Sequence, residues 1–142
     1  NAVKIIAGHT KHEVWDRMVA GFNQVIPSLP PEKYYSFYNH ADICLVPLLD
    51  TRFNSFKSNL KVLEAGAACL PAVVSHVDPY LGMPVHYVHN QTDWFKQLNR
   101  LIKNPQLRYD AGMELNEWCE KNHNFDSINK IRYEGFKQTI AS

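Results

Sequence analysis

Residues 57–75 read KSNLKVLEAGAACLPAVVS, and the change of period inside this stretch decides the fold. Leu60, Leu63 and Ala67 recur at three-and-four spacing, which predicts a helix over residues 57–68 with one apolar stripe. Leu70 and Pro71 end it. The next residues, Ala72-Val73-Val74-Ser75, are apolar without alternation up to the closing serine, as a strand covered on both faces requires. A helix running directly into a doubly buried strand is the repeating unit of a parallel sheet, so an α/β class is expected.

The same unit recurs on either side. Ile43-Cys44-Leu45-Val46, stopped by Pro47, is a second buried strand, and residues 48–56, with Asp50, Thr51, Asn54 and Ser55 and no period, form a loop after it. Loops at the carboxyl ends of parallel strands are where such sheets bind ligands. Upstream, an apolar run over residues 3–7 ends at Gly8. A helix follows, carrying Val14, Trp15, Met18, Val19 and Phe22, with Thr10 and Glu13 fitting the Ser/Thr-x-x-Glu cap. Val25 and Ile26 make a very short strand before Pro27, Pro30 and Pro31, and residues 32–38 a short aromatic helix. Downstream, residues 85–88 are a further strand. Helices are then expected over 93–103, 106–121 and 126–140, broken at Asn104-Pro105. The expected architecture is a Rossmann-like parallel sheet with helices on both faces, in one domain: residues 1–90 carry the sheet and 91–142 a helical tail.

Composition narrows the function. The chain has 142 residues and is 45% hydrophobic, enough for one core and too short for two ordinary domains. Fifteen Lys and Arg against fourteen Asp and Glu are scattered rather than gathered in a stripe, so the electrostatic case for nucleic acid is absent. No apolar run approaches the roughly 20 residues needed to cross a bilayer, and the first residues do not read as a signal peptide. Cys44, Cys69 and Cys119, odd in number and widely spaced, fit packing roles in a reducing compartment. His9/His12 and His86/His89 are each three apart, but neither pair has a further ligand nearby, so no metal site is expected.

Three ordered blocks carry a resemblance: Ala41-Asp42-Ile43-Cys44-Leu45-Val46-Pro47-Leu48; Phe53-Asn54-Ser55-Phe56-Lys57-Ser58-Asn59-Leu60-Lys61-Val62-Leu63-Glu64-Ala65-Gly66-Ala67; and Leu70-Pro71-Ala72-Val73-Val74-Ser75. Together they resemble the group 1 glycosyltransferases, whose members show an Ala-Asp-hydrophobic-Pro strand end, a Lys-x-x-Glu-Ala helix and a Pro-Val-hydrophobic-Ser strand in this order. The tail is similar too, through Trp94, Asn104-Pro105 and the segment from Arg108 to Met113. The resemblance implies the carboxy-terminal half of a GT-B fold, which holds a nucleoside-diphosphate sugar for transfer to a hydroxyl acceptor, as in polysaccharide or glycan synthesis. It implies no cofactor and no metal, a cytoplasmic setting, and an amino-terminal acceptor domain as partner, through which peripheral membrane attachment is an option. Without that domain the chain is expected to be inactive. The family's first strand, with the Gly-rich loop after it, has no counterpart before Val3. Its sheet is therefore expected to show a gap or a substitute partner there.

The implied donor site is Glu64, Lys57, Lys61, Asn54 and Ser58. In the family a glutamate at the place of Glu64 binds the ribose hydroxyls and another, eight positions earlier, touches the sugar; here that earlier place is Phe56. A variant pattern with Asn, Lys-Ser and a second Lys ahead of the Glu fits Asn54, Lys57, Ser58 and Lys61. The chemistry agrees, since an ionised carboxylate accepts from two adjacent hydroxyls and a helix amino end with nearby lysines suits a diphosphate. Lys57, Lys61 and Glu64, at i, i+4 and i+7, are expected on one helix face. No catalytic acid or base is identified. By themselves the three would read as a solvated helix face, Asn54, Ser55 and Ser58 as loop or cap residues, and the tyrosines at 34, 35 and 38 as core.

Two rival functions remain open. One is a sugar-nucleotide epimerase of the same fold, which needs a carboxylate acid/base pair where only Glu64 is evident. The other is a non-catalytic nucleotide-sugar-binding or regulatory module, for which Phe56 is the best evidence. A dinucleotide oxidoreductase ranks last because Gly8 is not followed by Gly-x-x-Gly.

Overall fold

The computed structural model describes residues 2–9 and 13–140. Strand β1 (Ile5–His9), helix α1 (Glu13–Val19) and strand β2 (Gln24–Pro27) come first; a ten-residue 3₁₀ helix, Pro31–His40, leads to β3 (Cys44–Val46). A short 3₁₀ turn, Asn54–Phe56, precedes α2 (Leu60–Ala67) and β4 (Ala72–Ser75). After β5 (His86–Val88) the chain is helical: α3 (Gln91–Lys103), α4 (Pro105–His123) and α5 (Phe125–Ile140). The capping threonine expected at position 10 lies outside the described residues.

All strand pairing is parallel, but the strands fall into two sheets: β1 with β2, and β3-β4-β5 with β4 in the middle. The three-stranded sheet holds the core. Successive residues of a strand face opposite ways, and β4 uses both: Val73 packs with Val88 and Leu101 of α3, while Val74 packs with Val46, with Val62 and Ala65 of α2, and with Leu115 and Cys119 of α4. This is why β4 has no polar alternation: it is covered by α3 on one side and by α2 and α4 on the other.

Helices α2 and α4 approach closely because glycines line the contact. A Cβ on Gly66 would lie 2.5 Å from Cys119 Sγ, and one on Gly112 would overlap the backbone carbonyl of Cys69. Asn116 Nδ2 donates to the Gly66 carbonyl at 3.0 Å, which also accepts from the Cys69 N–H at 2.9 Å, so α4 is tied to the closing turn of α2.

The tail helices are punctuated by asparagines. Asn104 Oδ1 accepts from Leu107 N at 3.1 Å with Pro105 at the first position of α4, while Arg108 Nη1 donates to the Leu101 and Ile102 carbonyls at the end of α3. At the start of α3, Asn90 Oδ1 accepts from Asp93 N at 3.0 Å, and Asp93 Oδ2 accepts from Asn90 Nδ2 at 3.0 Å and from His89 N at 3.2 Å. Asn90→Ala removes this cap. Thermal unfolding should show a loss of about 1 kcal/mol, and an unchanged melting curve would mean that the cap contributes nothing.

The β1-α1-β2 unit is built differently. Its ends are tied by Asn23, whose Oδ1 accepts from Lys4 N at 2.9 Å, and by Ser28, whose Oγ donates to the Gly8 carbonyl at 3.0 Å. Helix α1 buries none of its residues, and Val3, Val14, Met18, Phe22 and Val25 are all exposed. The apolar stripe expected of this helix is thus largely exposed, with Trp15 and Val19 half-buried. No helix among the described residues is long and apolar enough to cross a membrane.

Candidate functional site

The expected helix over residues 57–68 begins later, at Leu60, and this is a correction to the predicted site. Lys57 is extended (φ −74°, ψ 153°), and the ladder of α2 opens with the Val62 and Leu63 N–H groups donating to the Asn59 carbonyl. Ser58 and Asn59 are residues that compete with helix by local hydrogen bonding, which favours a boundary over a helix interior here. Lys57 therefore does not share a helical face with Lys61 and Glu64. Its ammonium stands 5.6 Å from the Phe53 ring centroid, in the segment that leads into α2.

Lys61 and Glu64 do meet, one turn apart. Lys61 Nζ lies 3.0 Å from Glu64 Oε2 and 4.4 Å from the centroid of the Tyr34 ring. The same Oε2 accepts a hydrogen bond from the Tyr38 hydroxyl, 26 residues earlier. Burial, the bond to the Glu64 carboxylate and the nearby Cys44 thiol all push the Tyr38 phenol far above its ordinary value, so Tyr38 stays a donor at any working pH. The Glu64 side chain is 17% exposed, enough for a ligand to reach it at the surface of α2. Burial first, and then the Glu64 charge, raise the Cys44 thiol to about 11.

The other predicted residues part company. Asn54 turns inward on its own loop: Nδ2 donates to the Leu49 carbonyl at 2.8 Å, and its backbone N–H donates to Thr51 Oγ1 at 3.2 Å. Its visible work is to fold the loop. Ser58 is exposed between the 3₁₀ turn and α2, and Phe56 is 83% exposed beside it. Tyr34 and Tyr38, expected only as core, are what the sequence reading missed. Nothing local identified Glu64 as the partner of Tyr38 or Lys61 as that of Tyr34.

A second feature lies at the carboxyl ends of β3, β4 and β5. An open cleft of about 570 Å³ is walled there by Asp50, Ser75, His76, His89, Gln91 and Trp94. The His76 and His89 rings lie 4.3 Å apart with their planes tilted by 31°, and Ser75 Oγ accepts from Leu48 N at 2.9 Å, fixing the loop where it leaves β3. Position and lining suit a small polar ligand, as expected outside the strand ends of a parallel sheet. Among the described residues no three His, Cys, Asp or Glu side chains are close enough together to hold a metal ion. Burial and the nearby Arg100 lower His86, which stands apart from this cleft.

These features define a mixed α/β protein with small parallel sheets, a helical carboxy-terminal part, and a carboxylate on α2 held by a tyrosine and a lysine. No protein-family model matches the chain, and no curated protein matches its sequence.

Proposed function

We propose that the chain is the donor-binding part of a glycosyltransferase with two facing Rossmann-like domains, and that it binds a nucleoside-diphosphate sugar. The observation that carries this reading is Glu64: a partly accessible carboxylate on α2, with both of its protein donors on one oxygen, following a loop at the carboxyl end of a parallel strand. Its free acceptor capacity suits the paired hydroxyls of a ribose. Lys57, Ser58 and the amides that precede the α2 ladder suit the diphosphate, whose departure they would ease by stabilising its charge. The cleft at the carboxyl ends of β3, β4 and β5 is of a size to take the sugar.

The divided sheet supports the finer fold reading. A doubly wound sheet of order 3-2-1-4-5-6, deprived of its central first strand, would leave one pair and one trio of parallel strands. The β2-β1 and β3-β4-β5 sheets have that arrangement. The exposed Val3, Val14, Met18, Phe22 and Val25 agree with a unit whose core includes a strand supplied from elsewhere in the protein. The acceptor domain would then be the partner of this one, in a cytoplasmic enzyme attached to a membrane, if at all, at its periphery.

Titration of the intact protein with UDP, GDP and their sugar conjugates tests the proposal, with Glu64→Ala as the control. Wild-type binding should weaken in the variant by about 10- to 100-fold, the range for hydrogen bonds to a charged group. An unaltered Kd in Glu64→Ala, or a wild-type protein indifferent to all of these ligands, would sink it. One observation favours a second reading, a binding module without transfer activity: an exposed Phe56 stands where a sugar-contacting glutamate is expected. Nucleotide-sugar binding without turnover by the intact protein would select that alternative.

A further inference from the structure

We infer that Tyr38, acting together with Lys61, is a positioning residue that fixes Glu64 for recognition of a vicinal diol, an inference that rests on the donor-site reading above. Glu64 Oε2 takes both protein donors, the Tyr38 hydroxyl and the Lys61 ammonium at 3.0 Å, and Oε1 takes neither. A carboxylate has about four acceptor directions. The arrangement spends two on one oxygen and leaves the other oxygen, on the partly exposed side chain, as the acceptor for a ligand.

Each donor is itself held. The Tyr38 ring packs against the main core cluster from a 3₁₀ helix, and its raised pKa keeps the proton on the phenol. The Lys61 ammonium is drawn over the Tyr34 ring, four residues before Tyr38 on that same 3₁₀ helix. The carboxylate is thus clamped between two segments distant in sequence. Losing side-chain freedom before the ligand arrives lowers the cost of binding. A free glutamate on a surface helix would have to be ordered by its ligand, and its affinity for two weakly acidic hydroxyls would suffer accordingly. The ligand chemistry matched to this geometry is a pair of adjacent hydroxyl donors, such as the 2′ and 3′ hydroxyls of a ribonucleotide. A single hydroxyl would leave half of the arrangement unused.

The test compares UDP and GDP with their 2′,3′-dideoxy counterparts on the intact wild-type protein and on Tyr38→Phe, which keeps the ring and removes only the donor. The wild type should prefer the ribonucleotide, and Tyr38→Phe should shrink that preference by about tenfold while leaving the dideoxy affinity in place. A merely structural role for Tyr38 would weaken both ligands alike. Lys61→Met, at a half-exposed position that does not endanger folding, removes the second donor to Oε2 and should shrink the same ratio. Variants that retain the wild-type ratio overturn the inference and leave the donor site standing. A wild type that binds neither nucleotide overturns the donor-site reading itself.

Discussion

Gly112→Ala is expected to be the most damaging single-methyl change in this fold, lowering stability by about 3 kcal/mol. The added Cβ would fall on the carbonyl oxygen of Cys69, with the carbonyl carbon 2.8 Å away and Leu70 N at 3.4 Å. All three are backbone atoms, so no rotamer change relieves the clash. Nor can the segment swing aside freely. Cys69 already adopts φ +54°, an uncommon conformation for a non-glycine residue, and its N–H and that of Leu70 bond to the Gly66 and Ala65 carbonyls to close α2. Alanine gains about 1 kcal/mol over glycine in a helix, which the overlap outweighs. Urea unfolding should show a lower midpoint at an unchanged slope. Gly135→Ala, in α5 with nothing within 4 Å of the new Cβ, is the matched control and should be neutral or mildly stabilising. Equal midpoints for the two variants would show that α2 and α4 can separate at little cost.

The three thiols should separate just as widely by reactivity. Cys69 is exposed, Cys119 is buried in the main core, and Cys44 is half-buried with its thiol raised from 9.0 to about 11 by burial and by Glu64. Two units correspond to about 100-fold less thiolate at pH 8, before any steric protection is considered. Iodoacetamide followed by peptide mapping should therefore find Cys69 modified first, with Cys44 and Cys119 following only as the protein unfolds. The sign is fixed: a raised thiol pKa means less of the reactive form at every pH below it. Modification of Cys44 at a rate comparable to that of Cys69 would place Cys44 in a more open and less negative setting than the fold gives it.

How much of this was legible in the sequence depends on the range of the interaction involved. Strand β4 was readable to the residue, because the unbroken apolar run Ala72-Val73-Val74 after Leu70-Pro71, closed by Ser75, has few alternatives. The tail helices were readable because Asn104-Pro105 marks a boundary through a local hydrogen bond, whereas the cap at Asn90 was not read and α3 starts at Gln91 rather than at Asp93. The start of α2 was misjudged by three residues because periodicity alone favoured the apolar stripe, while Ser58 and Asn59 favour a turn. The Tyr38–Glu64 bond was out of reach: it joins two segments that only the packing of the 3₁₀ helix beside α2 brings together, and no pattern within either segment encodes it. The resemblance singled out Glu64 without indicating what holds it. Lys61 was assigned to a diphosphate, and its nearest anion in the fold is Glu64 itself.

The division into two sheets also bears on how the chain behaves in company. Among the described strands only β4 has neighbours on both sides, so β1, β2, β3 and β5 each turn one row of peptide groups away from their own sheet. Such rows are templates for another chain's backbone, and here Val25 and Leu45 add exposed apolar side chains to them. Concentration is then a hazard for this polypeptide wherever those edges are left uncovered, because they can pair with the strands of a neighbouring molecule.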